Sequence, residues 1–237
     1  MLQLADKGHD VWFGNNRGTR YAKNREGKEM YDQEYWTFDM SDMGKYPGGD
    51  IPAFIEHIAP TPEKGNPKRV AYIAYSQGSF QMFYGLATAE EEFYGERIHR
   101  FIALAPCIYN SYYDWQYDET AEYYKSLNDN GDYYTEYGGY QSVQSDMYWS
   151  QVSIENQFQE PIPLNDYVNG QRTSSRLSLA GIEQIPVHMM VVAEDKSCSL
   201  ENSERIYNEL KTNDKNNMHS FELIEDVDHL YFTWVSK

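Results

Sequence analysis

Basic residues are scarce in this sequence. Its 237 residues include 20 lysines and arginines against 37 aspartates and glutamates, which gives a formal net charge of -17. A surface of that sign repels phosphate backbones and anionic lipid headgroups at neutral pH, so we expect no nucleic-acid partner. Cysteine is almost absent as well. Cys107 and Cys198 can form at most one bridge, and their separation leaves open both their pairing and the redox compartment.

Long apolar runs and a leader-like amino terminus are also missing. No stretch is apolar for long enough to span a membrane. The opening residues, MLQLADKGHDVWF, lack the basic start and apolar centre of a signal peptide. These absences leave the localisation of the chain unknown. With 41% hydrophobic residues, the chain is long enough for one sizeable core with an inserted subdomain.

The apolar pattern that is present is typical of an α/β protein. LQLADKG indicates a helix that ends at Gly8, and HDVWF, residues 9–13, indicates a short strand. Amphipathic stretches at 78–92 and 200–211 predict helices. Compact apolar runs predict buried strands at 69–74, 98–104, 185–193 and 218–225. Alternation of strands and helices favours a parallel sheet.

The pattern breaks between about residues 107 and 180, where no sustained strand period occurs. Eleven of the chain's 22 tyrosines lie between Tyr109 and Tyr148. We interpret residues 107–184 as an inserted tyrosine-rich cap, between a first core segment, 1–106, and a second, 185–237. Tyrosines suit a wall around an apolar ligand, yet packing on the core is the commoner role, and both alternatives stay open.

The stretch VAYIAYSQGSF, residues 70–80, has the pattern of a nucleophile elbow. Such an elbow places a serine on a sharp turn between a strand and a helix, with small residues two positions before and after it. Here the serine is Ser76, and the small residues are Ala74 and Gly78. A buried strand precedes the motif and an amphipathic helix follows it, which is the context that the motif requires. Ser76 is therefore the candidate nucleophile.

A catalytic serine needs a histidine to take its proton and a carboxylate to orient that histidine. Asp195 and His229 follow the two last predicted strands, so they lie at carboxyl ends of parallel strands, where such sites assemble. Asp228 and Glu194 are competing carboxylates, but neighbours on a loop usually point apart, which favours Asp195. The other histidines show no metal-ligand spacing and are expected to be structural: His9, His57, His99, His188 and His219. We expect neither metal nor cofactor.

Several segments together resemble the acid lipases, the gastric and lysosomal lipase family. They are LADKGHDVWFGNNRGTRYAKN, YWTFDMSDMGKYPGGDIPAFIEHI, AYIAYSQGS, FIALAPC, YWSQVSIENQFQ and HLYFTW. The resemblance implies an α/β-hydrolase fold with a mostly parallel sheet and an inserted cap. It implies Ser76 as nucleophile, Asp195 as orienting acid, His229 as general base and the Gln77 backbone N–H as an oxyanion donor. An acyl-lipid ester is the implied substrate, with contact to a lipid interface allowed, and secretion or the lysosome is the implied location.

The sequence also departs from that family's pattern. Tyr75 stands where the family has histidine, Ala74 where it has glycine, and Tyr231 where it has aspartate. Family members carry several strands and a His-Gly loop before the point where Met1 falls, and that loop donates the second oxyanion N–H. We therefore expect a shortened fold without the first strands and the second donor. An incomplete gene model, a fragment or a paralogue would each produce it.

The function predicted from these motifs is a lipase or other carboxylic ester hydrolase of lipid metabolism. One alternative is a hydrolase-like binding protein or fragment that is catalytically impaired because it lacks the oxyanion loop. A smaller alternative is a soluble esterase for short acyl chains. Reactivity of Ser76 towards a phosphonate separates the first two, and chain-length preference separates the third. The sequence gives neither the acyl chain, the alcohol, the pH optimum nor the oligomeric state.

Overall fold

The computed structural model describes residues 2–22, 27–60, 69–88, 91–109, 117–135, 141–183, 185–215 and 218–233. Its strands are Val70–Tyr75 (β1), Ile98–Leu104 (β2), Tyr134–Thr135 (β3), Gln141–Ser142 (β4), Val187–Val192 (β5) and Ser220–Ile224 (β6). Four of them form one sheet in the order β1-β2-β5-β6, and every pairing in it is parallel. The short strands β3 and β4 form a separate antiparallel pair.

Helices surround this sheet. They are Leu2–Asp6 (α1), Met40–Gly44 (α2), Asp50–Ile58 (α3), Gln77–Thr88 (α4), Glu91–Arg97 (α5), Tyr117–Asn130 (α6), Val143–Ile154 (α7), Leu164–Val168 (α8) and Leu200–Lys211 (α9), with 3-10 helices at Gln33–Trp36 and His229–Phe232. The predicted α/β class with a parallel sheet is confirmed. No helix of the described residues has the length and apolar character that crossing a bilayer needs.

Helix α9 has the bounds that its amphipathic pattern predicted. The Ser199 hydroxyl accepts a hydrogen bond from the Asn202 backbone N–H, 3.3 Å away, which satisfies a free donor at the helix start. Ile206 and Leu210, four positions apart on one face, are buried. The predicted helix 78–92 is different: α4 runs from Gln77 to Thr88, and α5 starts at Glu91.

The strand predicted at residues 9–13 is wrong. Helix α1 ends as expected, with Gly8 at φ 87° and the His9 N–H bonded to the Leu4 carbonyl. The following segment is extended but forms no ladder with any described strand, and Trp12 and Phe13 are 50% and 67% exposed. An apolar run becomes a strand only where a neighbour pairs its backbone N–H and C=O groups. Within the described residues β1 pairs with β2 alone.

The Asn-Asn-Arg-Gly loop attaches this segment to the helices. The Arg17 backbone N–H and guanidinium both bond to the Asp50 carboxylate, at 2.8 and 2.9 Å. Asn16 donates from its amide to Gln81 of α4, 2.7 Å away. Gly18, at φ 85°, donates its N–H to the Tyr35 hydroxyl. These bonds hold the loop against α3 and α4, so they fix the base of the helix that follows Ser76.

The main core lies between the sheet and the helices around it. Phe80 and Phe83 of α4, Phe101 of β2 and Val187 and Met189 of β5 are fully buried there. Burying one such side chain contributes about 1.5–3 kcal/mol, so this layer dominates the stability of the sheet. Strand β1 and helix α4, which flank Ser76, both contact this core.

The segment between β2 and β5 packs in two places. Residues from its second half, such as Tyr148, Val152 and Phe158, belong to the main core. A smaller cluster holds the rest together and consists of Ala121, Tyr124, Val143, Met147, Ile162 and Tyr167. The described residues of this segment add no strand to the four-stranded sheet. Its assignment as a separate cap over 107–184 remains a prediction.

Three tyrosines of this segment pack inside the fold. Tyr109, Tyr124 and Tyr148 are each at most 4% exposed. The Tyr148 hydroxyl donates to the Gln159 carbonyl at 2.6 Å, and the Tyr124 hydroxyl lies 2.9 Å from Ser150 Oγ. For these three the structural alternative holds, since each ring is buried and the hydroxyls of Tyr124 and Tyr148 have partners inside the fold.

Candidate active site

Ser76 lies between the last residue of β1 and the first residue of α4. Its φ is 52°, in the left-handed region that residues other than glycine seldom adopt. The Ser76 N–H donates to the Leu104 carbonyl at 3.0 Å, and the Ser76 carbonyl accepts from the Ser79 N–H at 2.9 Å. The neighbouring strand and the helix therefore hold a backbone conformation that would otherwise relax. The turn raises the serine hydroxyl above the end of the sheet.

Two small residues let strand and helix approach at this turn. A Cβ built on Gly78 would lie 3.5 Å from the Ala74 Cβ, an ordinary van der Waals distance. Ala74 is buried, and the Ser79 hydroxyl donates to its carbonyl at 3.2 Å. The geometry shows why alanine fits at position 74: the close approach tolerates one methyl group on that side.

The three predicted catalytic side chains form one hydrogen-bonded chain. Ser76 Oγ lies 2.8 Å from His229 Nε2, and His229 Nδ1 lies 2.6 Å from Asp195 Oδ2. A carboxylate only accepts, so Nδ1 carries the proton, which leaves Nε2 free to accept one from the serine. The Asp195 side chain is 1% exposed and the His229 side chain 18%. This arrangement can remove a proton from Ser76 and hold it on the imidazole.

The buried carboxylate of Asp195 is fixed by its own loop. Its Oδ1 accepts the backbone N–H groups of Ser197 and Cys198, at 2.9 and 2.8 Å. Cys198 forms a disulfide with Cys107, just past the end of β2, and both are buried. The question that the sequence left open is thus answered: the two cysteines meet. The bridge ties the loop of the acid to the neighbouring strand.

The competing carboxylates have other partners or positions. Asp228 Oδ1 accepts the Leu230 N–H at 3.0 Å and caps the 3-10 helix that begins at His229. Glu194 is exposed, and its backbone N–H donates to the Val227 carbonyl. Adjacent residues point apart here, as expected of loop neighbours, and Asp195 is the carboxylate at the imidazole.

The first helical N–H beside the serine belongs to Gln77. Gln77 opens α4, and the first N–H groups of a helix have no partner within it. The positive end of the helix dipole lies at the same place, so negative charge on an atom next to Ser76 is favoured. This is the location that an oxyanion donor needs.

Among the described residues, one group of side chains has its potential metal-ligating atoms close together: Asp195, Cys198 and His229. The Cys198 sulfur is in a disulfide, and the carboxylate and imidazole bond to each other, so no donor set is left for an ion.

Of the other histidines, His219 is buried. It accepts the Val187 N–H on Nδ1, with Nε2 3.0 Å from the Ile182 carbonyl, and burial lowers its pKa.

Sequence reasoning missed the contact between Tyr75 and His229. Its hydroxyl donates to the His229 backbone carbonyl at 2.8 Å, and its ring lies 5.1 Å from the imidazole. The only signal in the sequence was its place directly before Ser76, where the acid lipases have histidine. A contact across 154 positions leaves no local pattern to read.

Curated proteins similar in sequence to this chain carry lipase names. Human lipase member K is 38% identical over 105 residues, 44% of this chain and 24% of that protein. The lysosomal acid lipase/cholesteryl ester hydrolase of Macaca fascicularis is 35% identical over 44% of this chain, and lipase 1 of Drosophila melanogaster is 34% identical over 45%. The chain matches about a quarter of the length of these relatives or less. No family model matches it.

Solved structures align with this chain at low identity. One is described as the non-heme bromoperoxidase BpoC of Mycobacterium tuberculosis. Its alignment includes 92% of this chain and 74% of the bromoperoxidase chain, with a TM-score of 0.45 and 16% identity. Another is a monoacylglycerol lipase of Paleococcus ferrophilus. Its alignment includes 77% of this chain and 65% of the lipase chain, with a TM-score of 0.44 and 14% identity. The parallel sheet, the strand-to-helix elbow and the order Ser76, Asp195, His229 are those of an α/β-hydrolase fold. Over the matched 44% of its length the chain is similar in sequence to a lysosomal acid lipase, as its motifs predicted.

Proposed function

We propose that this protein is a serine ester hydrolase that acts on acyl lipids through an acyl-enzyme. The observation that carries the proposal is the hydrogen-bonded chain from Ser76 through His229 to Asp195. It lies at the carboxyl ends of parallel strands, with the serine on a strand-to-helix elbow. The lipase names of the similar proteins support an ester as the substrate.

The first half-reaction forms the acyl-enzyme. Ser76 Oγ attacks the ester carbonyl carbon while His229 Nε2 takes the hydroxyl proton. The C–O bond to the alcohol then breaks, and His229 returns that proton to the leaving alkoxide. Asp195 holds the Nδ1 proton in place and stabilises the imidazolium that exists between the two transfers.

The second half-reaction releases the acid. Water enters, loses a proton to His229 Nε2, and its oxygen attacks the acyl carbon. The Ser76 ester bond breaks, Ser76 regains the proton from His229, and the fatty acid leaves. In both halves negative charge builds on the carbonyl oxygen. The Gln77 N–H, at the positive end of α4, is the donor that we assign to that charge.

Labelling with a fluorophosphonate tests the proposal without needing turnover. Such a reagent reacts with an activated serine and leaves a covalent mass on it. We expect one label on the full 237-residue chain at Ser76, and none on a Ser76→Ala variant. Ser175→Ala is the matched control, because Ser175 is an exposed serine remote in sequence from the elbow. A label of equal yield on Ser76→Ala would overturn the assignment of the nucleophile.

Substrate class is tested with p-nitrophenyl esters of increasing chain length. For a lipase we expect kcat/KM to rise from the butyrate to the palmitate ester. A preference for the short ester would indicate the soluble esterase instead. Labelling without turnover on any ester would indicate the catalytically impaired alternative.

The same proposal places the protein in an oxidising compartment, such as the secretory route or the lysosome. Stable disulfides are typical of secreted and lysosomal proteins, and the Cys107–Cys198 bridge ties two buried loops of the candidate site. We expect protein isolated from its native cells to gain no thiol-alkylation mass until it is reduced. Two alkylated cysteines in the unreduced protein would contradict this location.

A further inference from the structure

We propose that Tyr75 is a positioning residue for the catalytic base, a role that rests on the proposed function. Tyr75 ends β1, directly before Ser76. Its hydroxyl donates to the His229 backbone carbonyl oxygen at 2.8 Å. One side chain thus joins the strand of the nucleophile to the backbone of the base, 154 positions away.

The turn that carries His229 has few anchors of its own. Strand β6 ends at Ile224, and Asp226 has a φ of 58°. The 3-10 helix His229–Phe232 buries none of its residues, and its cap is the exposed carboxylate of Asp228. A turn without a buried side chain is held mainly by hydrogen bonds, so the bond from Tyr75 has a large share in fixing where the imidazole lies.

The Tyr75 ring adds a second contact. Its centroid lies 5.1 Å from the imidazole centroid with the planes at 35°, and the Tyr75 and Phe232 rings make an edge contact with their centroids 6.4 Å apart. An aromatic face attracts a cation within about 6 Å, and His229 becomes a cation when it takes the serine proton. The ring therefore favours the charged state that both half-reactions pass through.

The hydroxyl of Tyr75 keeps its proton under all conditions relevant to this chemistry. Burial raises its pKa above the ordinary tyrosine value and outweighs a hydrogen bond with the Thr233 side chain, which lowers it, while the negative charges of Asp195 and Asp228 raise it further. The group thus stays a donor to the His229 carbonyl. Both carboxylates remain in the Tyr75 and Tyr231 variants of the next paragraph, so a change in their activity reports on the tyrosine itself.

A series of two substitutions separates the two contacts. Tyr75→Phe removes the hydroxyl and keeps the ring, and Tyr75→Leu removes both. Loss of one such hydrogen bond predicts a fall in kcat of about 3- to 10-fold for Tyr75→Phe, with KM within about twofold. Adding the lost ring contact predicts about 5- to 50-fold for Tyr75→Leu. Tyr231→Phe, the same change on an exposed ring two residues after His229, should leave kcat unchanged.

A spectroscopic signal reports on the positioning without turnover. The Nδ1 proton between His229 and Asp195 gives a far-downfield proton resonance when the imidazole is held against the carboxylate. We expect this resonance in the unmodified 237-residue chain and in Tyr231→Phe, and we expect it broadened or lost through faster exchange with water in Tyr75→Phe. Thermal unfolding by circular dichroism shows that each variant is folded.

The two readouts keep this proposal distinct from the proposed function. A sharp resonance and an unchanged kcat in Tyr75→Phe would overturn the role of Tyr75. If the unmodified chain takes no phosphonate label, the proposed function fails. Loss of the resonance in Tyr75→Phe would even then support positioning of the imidazole, and its persistence would refute it.

Discussion

The acid and the base of the candidate triad are held in opposite ways. Asp195 is buried, its Oδ1 accepts two backbone N–H groups, and a disulfide closes its loop. His229 lies on a turn with no buried residue, and Tyr75 reaches it from the elbow. The acid is thus buried and fixed by several contacts within its own loop. The side that must accept and return a proton lies nearer to solvent and depends on few contacts.

The largest effect is expected where both regions meet, at Ser76. Ser76→Ala removes the nucleophile and should lower kcat by about 10⁴- to 10⁶-fold, as expected for a group that acts as one unit with its base. His229→Ala should be comparably severe, measured by initial rates on a chromogenic ester. The double variant should be no worse than either single one. A double variant far below both would mean that the two residues act separately.

The next effect tests which carboxylate serves the base. Asp195→Asn should lower kcat by about 10⁴-fold, because an amide favours the wrong imidazole tautomer. Asp228→Asn keeps a side chain able to cap the 3-10 helix, so it should change kcat by less than about threefold. Steady-state kinetics of the two variants side by side decide the matter. The reverse order of severity would make Asp228 the acid.

Removing the disulfide weakens the contacts that hold the loop of Asp195 and leaves the turn of His229 unchanged in sequence. Cys107→Ala, Cys198→Ala and the double variant should each lower the free energy of unfolding by about 2–5 kcal/mol, measured with urea. We also expect a lower kcat, since the Cys198 N–H bonds to Asp195 Oδ1. Equal stability with and without the bridge would show that packing alone fixes the acid.

The smallest effect concerns the pH dependence of stability, away from the site. Burial raises the pKa of Asp39 to about 6, with a further contribution from Asp42. The folded state therefore holds a proton that the unfolded state loses near its ordinary value of 3.8, so stability falls as pH rises from about 4 to 6.

Asp39→Asn should flatten that slope and stabilise the protein at pH 7 by about 1–2 kcal/mol. The amide can still accept the Ser41 N–H that Asp39 accepts at 2.7 Å. Urea titrations at pH 4 and pH 7 measure the change. Asp42→Asn is the matched control and should leave most of the slope, while kcat should change in neither variant. An unchanged slope in Asp39→Asn would contradict the origin assigned to it.

Much of the fold could be read from local pattern. Helix α9 and strand β2 have the predicted bounds, because each pattern repeats within a few residues and the packing partner only has to be apolar. The segment 9–13 failed for the complementary reason. Its composition suits a strand, but a strand exists only where another backbone pairs with it, and no described strand does.

The sequence by itself determined the candidates for the chemistry. The order Ser76, Asp195, His229, each after an apolar run, limits the choice because parallel strands bring their carboxyl ends to one edge. Only the tertiary structure decided which groups touch. The pairing of Cys107 with Cys198, the capping role of Asp228 and the bond from Tyr75 to His229 join positions with no shared local pattern. Such contacts depend on distances in space, which sequence spacing does not encode.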